Sequence, residues 1–150
     1  MIHLNNTSYK RPELVAPAGD IEKLKTAIEY GADAVYVGGE GFNLRMGATN
    51  LTIEEIKDAT SWVHKRGKKI YVTLNIFARN YHVSGIRSYL KKLAEIPVNA
   101  IIVADPGIFL TVREIAPHIP IHLSTQANTT NAKSVEFWHQ QGMKRAVLAR

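Results

Sequence analysis

Apolar positions along the chain follow two alternating rhythms. Short runs rich in Val, Ile and Tyr, each too brief for a helix, predict strands over residues 13–16, 34–38, 69–74, 100–104, 121–124 and 145–149. Between them, apolar residues recur at helical spacing, with a chemical start and stop signal at each end. Asp20 caps a first helix on Ile21, Leu24, Ala27 and Ile28, and Gly31 ends it. Thr52 and Glu55 form a capping box ahead of Ile53, Ile56, Ala59 and Val63, with Gly67 as the stop. A third helix is expected from about Ser84 to Glu95, carrying Ile86, Tyr89, Leu90 and Leu93. Asp105 and Pro106 read as the cap and first residue of a fourth, which must stop before Pro117. Asn131 opens a fifth on Val135, Phe137 and Trp138, closed by Gly142.

Strict strand–helix alternation predicts an α/β fold of parallel strands joined by right-handed crossovers. Three helix-to-strand junctions, at residues 30–36, 66–71 and 141–147, share a glycine followed by polar residues and a β-rich run. The turn after the first strand, Pro17-Ala18-Gly19-Asp20, is not a Gly-x-Gly-x-x-Gly turn, and no Walker-type loop occurs. A parallel TIM-barrel-like (β/α) architecture is therefore expected over an open doubly wound sheet. A full eight-unit barrel takes about 250 residues, so six strands predict a barrel truncated after strand six. The expected division is a polar lead-in over 1–12 and the N-terminal part of a barrel catalytic domain over 13–150. Parallel strands left at the edges of such a sheet would favour self-association.

Barrel active sites are built where strands end and loops begin at the C-terminal face. Polar residues gather there: Gly38, Gly39, Asn43 and Arg45 after the second strand, Asn75 after the third and Asp105 after the fourth. The fifth supplies Ser124, Gln126 and Asn128, and Arg150 ends the sixth. His122, Ser124 and Gln126 share a parity opposite to that of Leu123 and Thr125, which predicts a polar face toward the lumen. Such a face suits a polar ligand, or equally a hydrogen-bonded network that fills the barrel. The long segment from Gly39 to Asn50 is of a kind that usually serves function, and Arg45 could clamp a carboxylate or phosphate.

The candidate catalytic residues are Asp105, His122 and Ser124; the candidate ligand-binding residues are Arg45, Asn75, Gln126, Asn128 and Arg150. A Ser/His/Asp triad is disfavoured, because His122 and Ser124 lie two residues apart on one strand, about 6.5 to 7 Å between Cα atoms, with side chains in parallel. Asp105 before Pro106 is first of all a helix cap. No metal site is expected: His118 and His122 flank Pro120 and cannot share a helix face, and the other histidines are scattered.

Composition narrows the class further. With 45% hydrophobic and 21% charged residues, ten Gly and six Pro, the chain is neither disordered nor collagenous. Nineteen basic against thirteen acidic residues give a net charge of +6 and a pI near 9.6, a mild excess that suits a polyanion such as RNA. There is no cysteine, so no disulfide, thiol nucleophile or iron–sulfur ligand resides in these residues. No apolar run approaches the roughly 20 residues of a membrane span, and the N-terminus lacks the apolar core of a signal peptide, so a cytoplasmic location is expected.

Five strings, residues 13–19, 30–36, 104–107, 122–128 and 147–150, together resemble the N-terminal half of the U-32 peptidase family, often called collagenase-like proteases. The resemblance runs in order from about Pro12 onward and looks closest to the branch of tRNA hydroxylation proteins. It implies a barrel-like catalytic domain whose C-terminal half carries a cysteine-rich signature. In several members those cysteines hold an iron–sulfur cluster, and the substrates are a tRNA wobble uridine or a ribosomal cytidine, with dependence on prephenate, or a quinone precursor. On this resemblance the chain is a fragment of an RNA-base hydroxylase, and a small carboxylate would suit Arg45 and Arg150. Two other readings remain at this point: a genuine peptidase, and a non-catalytic module that binds RNA or completes its barrel with another chain.

Overall fold

A computed structural model describes residues 11–39, 41–42 and 50–150. The chain alternates β1 (Val15–Pro17), α1 (Ile21–Glu29), β2 (Ala34–Gly38), α2 (Ile53–His64), β3 (Lys69–Leu74), α3 (Asn80–Leu93), β4 (Ala100–Val103), α4 (Pro106–Ile115), β5 (Ile121–Leu123), α5 (Ala132–Gln140) and β6 (Arg145–Ala146). All six strands are parallel and lie in sequence order. No helix among the described residues is long and apolar enough to cross a membrane.

Four of the five helices start where the sequence supplies a cap. The Asp20 carboxylate accepts from Lys23 N–H at 2.8 Å, Asp105 from Ile108 N–H at 2.9 Å, and Asn131 from Ser134 N–H at 3.0 Å. Thr52 and Glu55 exchange both bonds of the expected capping box, at 3.1 and 2.8 Å. The third helix starts earlier than its apolar spacing predicts, at Asn80. There the His82 ring Nδ1 accepts the Arg79 N–H at 3.0 Å, taking the part that Glu or Gln plays in the usual box.

Period-two alternation sorts every strand into an outer and an inner face. Outward-pointing Val35, Val37, Ile70, Val72, Leu74, Ile101, Val103 and Leu123 pack under the helices against residues such as Leu24, Ile56, Leu90 and Phe109, all almost fully buried. That layer between sheet and helices is the hydrophobic core. The inner face is a separate, smaller cluster of Ala34, Tyr71 and Ala100, with Val15, Tyr36 and Ile102 beside it.

Curvature of the sheet follows from one distance. Six strands spaced about 4.8 Å apart would hold β1 and β6 roughly 24 Å from each other if the sheet were flat. Yet Glu13, just before β1, lies 2.6 Å from the Arg145 guanidinium at the start of β6. The sheet is curled into half a barrel, with the inner face as its lumen. The expectation of a TIM-barrel-like fold with six strands stands.

Several strands are shorter than their apolar runs. At β5 the ladder stops at Leu123, because Ser124 opens a 3-10 turn over Thr125–Ala127. At β6 only Arg145 and Ala146 pair in the ladder; beyond them Val147 N–H still reaches Leu123 C=O, while Ala149 N–H turns to Thr129 C=O. Before β1, the Asp33 carboxylate accepts the Leu14 N–H at 2.9 Å and also pairs with Arg11 of the lead-in at 2.7 Å.

Register between β3 and β4 rests on Asn99. Its side-chain oxygen accepts the Ile70 N–H at 2.8 Å and bonds the His64 ring at 2.9 Å, while its own N–H donates to Ile70 C=O. Replacing Asn99 by Ala leaves two partly buried groups without a partner, and urea unfolding is expected to show a loss of about 1–3 kcal/mol. An unchanged midpoint would remove Asn99 from this role.

Candidate functional site: the barrel lumen

The curled inner face encloses a cavity of about 410 Å³. Its walls are Tyr36, Tyr71, Ile102 and His122; Thr73, Asn75, Ser124 and Gln126 stand toward the C-terminal mouth, and Val15 and Arg145 toward the floor. That volume lies within the 300–1,000 Å³ range of small-molecule sites.

Strand parity puts these groups there. Tyr71, Thr73 and Asn75 alternate with core-facing Val72 and Leu74, and His122 alternates with Ile121 and Leu123. At the mouth, Ser124 Oγ donates to Gln126 Oε1, which also accepts from Asn75 Nδ2 at 3.3 Å. This ties the loop after β3 to the turn after β5. Deeper in, the His122 ring meets Tyr71 edge-on, with ring centroids 4.8 Å apart. Thr73 Oγ1 donates to Val37 C=O at 3.1 Å and so is turned into the sheet.

The floor is ionic. The Glu13 carboxylate accepts from Lys69 Nζ at 2.8 Å, from Tyr71 Oη at 2.9 Å and from Arg145 Nη1 at 2.6 Å. Burial pushes its pKa up, but the hydrogen bonds from Lys69, Arg145 and Tyr71 outweigh that and hold it at about 2. Desolvation, joined by the Arg145 charge, lowers His122 to about 4, so its imidazole is neutral near pH 7. A neutral imidazole carries one donor and one acceptor nitrogen, which suits a polar neutral group in the lumen.

Of the residues singled out from the sequence, His122, Ser124, Gln126 and Asn75 converge on this cavity. Asp105 does not line it; its carboxylate is occupied as the cap of α4. Ser124 Oγ is engaged with Gln126 and the Asp105 carboxylate with Ile108 N–H, and among the described residues no hydrogen bond joins either to His122. Asn128 is exposed in a left-handed conformation (φ 54°) that ends the 3-10 turn, and Arg150 is exposed beyond the β6 ladder; neither lines the cavity. Arg45 and Asn43 fall outside the described residues. The groups the strand-five pattern did not point to are Glu13, Tyr36, Tyr71 and Arg145. The same period-two parity, applied to the second and third strands, marks Tyr36, Lys69 and Tyr71 as inward.

A curled parallel sheet with helices outside and a polar lumen open at the strands' C-terminal ends defines a TIM-barrel-like (β/α) protein. The chain belongs to peptidase family U32, whose family model matches residues 19–150. It is 53% identical over 141 residues to the tRNA hydroxylation protein P1 of Bacillus subtilis (strain 168), covering 94% of this chain and 33% of that relative. It is 40% identical over 140 residues to the tRNA hydroxylation protein P of Escherichia coli (strain K12), covering 93% of this chain and 31% of the relative. A 23S rRNA 5-hydroxycytidine synthase of Escherichia coli (strain K12) is 36% identical over 143 residues, 95% of this chain and 21% of that protein. The chain thus spans about a third or less of the length of these relatives. Among solved structures, the U32 peptidase Mk0906 superposes with a TM-score of 0.75 at 16% identity, over 96% of this chain and 61% of the other.

The two floor and wall titrations make stability depend on pH in one direction. His122 has a folded pKa below its ordinary value of 6.5, so between about pH 6.5 and 4 the unfolded chain takes up a proton that the folded one refuses. Stability therefore falls as pH drops through that window, by on the order of 2 kcal/mol. Glu13 adds a second fall from its ordinary 4.5 toward 2. Urea unfolding at pH 7.0 and 4.5 should show the first loss in the wild type and a smaller one in His122→Gln. Equal losses in both would contradict a neutral, desolvated His122.

Proposed function

We propose that this chain forms the ligand-holding part of an enzyme that hydroxylates a base in RNA, with tRNA as the substrate class. The observation that carries this is the 53% identity over 94% of the chain to a relative named as a tRNA hydroxylation protein. An enzyme acting on a base must take it out of its stack into a pocket. The lumen supports that role with aromatic walls at Tyr36, Tyr71 and His122 and amide groups at Asn75 and Gln126. Side-chain amides match the donor–acceptor edge of a pyrimidine. Ser124 steadies Gln126, and neutral His122 offers one donor and one acceptor to the bound group.

A small carboxylate co-ligand is best supported at Arg145. That residue lines the lumen, and one of its terminal nitrogens is engaged by Glu13. An iron–sulfur cluster does not fit the residues present. The chain has no cysteine, and no three His, Asp or Glu gather as metal ligands among the described residues. No oxidative step is therefore assigned to these side chains; they bind and orient.

Peptide hydrolysis lacks a matching arrangement, since Ser124 is bonded to Gln126 and Asp105 to a helix terminus. The test is made in cells deleted for the gene and complemented with full-length protein. Mass spectrometry of digested tRNA should show a nucleoside lacking one oxygen in the deletion strain and its restoration by the wild type. Asn75→Ala and His122→Ala should each restore at least about tenfold less, equivalent to about 1.4 kcal/mol in the barrier. An unchanged tRNA profile on deletion would overturn the RNA reading. Proteolysis of denatured collagen that is lost in Ser124→Ala would favour the peptidase instead.

A further inference from the structure

The segment that leaves the mouth of the lumen after Asn75 carries two large, mostly exposed aromatic side chains. Phe77 is 70% exposed and Tyr81 is 69% exposed, and both belong to the segment that links β3 to the first turn of α3. Burial of an aromatic ring is among the larger stabilising contributions available to a chain, so two such rings in water call for a partner. Phe77 follows lumen residue Asn75 by two positions, which limits their Cα separation to about 7 Å. The Phe77 backbone therefore stands beside the entrance, and Tyr81 follows four residues later in the first turn of α3. Tyr81 is further organised by the His82 ring, 4.1 Å away between centroids. His82 is itself fixed by accepting the Arg79 N–H at 3.0 Å.

Along the chain, the charge of this segment and helix has one sign. Between Asn75 and Ala94 there is no Asp or Glu, while Arg79, Arg87, Lys91 and Lys92 are basic. Arg87 is neutralised by Glu114 across the helix pair, at 2.6 Å. Arg79 is exposed beside the aromatic rings, and Lys91 and Lys92 lie in the last turn of α3. Exposed aromatic rings interleaved with cations, on a segment that itself carries no carboxylate, are what unpaired nucleic acid requires: faces for stacking bases and charge for phosphates. An acidic partner protein would match the cations, but it gives no reason for aromatic rings to sit next to a cavity that admits a single group.

We propose that Phe77 and Tyr81 form a stacking platform for the unpaired nucleotides that flank the base entering the lumen, with Arg79 holding the adjoining phosphate. This rests on the RNA reading above and assigns part of the RNA contact to the β3–α3 segment. A platform of this kind selects single-stranded loops over duplex, because only unstacked bases offer their faces.

The test is fluorescence anisotropy with the full-length protein, a labelled single-stranded pyrimidine-rich RNA and the corresponding duplex. Phe77→Ala and Tyr81→Ala are each expected to weaken single-strand binding about tenfold while leaving the duplex affinity unchanged. Phe77→Trp should restore binding and Phe77→Leu should not, since stacking needs a ring and not merely apolar surface. Arg79→Ala should lower the slope of log affinity against log salt by about 0.7. If the wild type binds RNA and the Ala variants bind equally well, the platform is overturned and the RNA reading stands. If the wild type binds neither RNA, both fall. Rescue by Leu as well as by Trp would point to an apolar protein contact and would also overturn the platform.

Discussion

The carboxylate of Glu13 organises the inner half of this fold. It draws Lys69, Tyr71 and Arg145 onto one point, from β3 and β6, across 132 residues of chain in the case of Arg145. A flat six-stranded sheet could not bring its two edges within hydrogen-bonding distance, so this contact and the curl of the sheet imply each other. From the curl follow the lumen, the separation of an ionic floor from a polar mouth, and the desolvation that keeps His122 neutral. Charges in such a cluster gain from mutual contact only where the remaining valences are satisfied, and Glu13 has three donors on its two oxygens.

Function is laid over this frame at the opposite end. The core between sheet and helices is almost wholly apolar, and it fixes the strands so that their inward residues point with little freedom. Asn75, Gln126 and Ser124 form one hydrogen-bonded group from two loops, which gives the mouth a defined shape before any ligand arrives. The aromatic segment after Asn75 extends that mouth outward. Floor, wall and mouth line one cavity that includes Arg145.

Much of the fold was legible because its signals are local. Caps at Asp20, Thr52, Asp105 and Asn131 each lie within three residues of the groups they satisfy, and all four appear as read. The start of α3 was not legible, because a histidine ring there performs the capping role and no propensity marks it. Alternation predicts a longer strand five than forms, since it continues through Ser124 and Gln126 while the backbone has already turned. Gln126 reaches the lumen all the same, from a 3-10 turn.

The site was legible in part for the same reason. His122, Ser124, Gln126 and Asn75 follow from parity and from their place at strand ends. The Glu13–Arg145 contact does not, because nothing local states which distant charge meets which. Position at the strand end points to Arg150, whereas among the described residues the arginine that lines the lumen is Arg145, at the strand's start. The most direct measurement on the whole account is a double-mutant cycle in urea unfolding, with Glu13→Gln, Arg145→Met and the pair. The account predicts a coupling of about 1 kcal/mol or more at pH 7 that disappears near pH 2. Strictly additive effects at pH 7 would contradict an edge-to-edge tie that shapes the lumen.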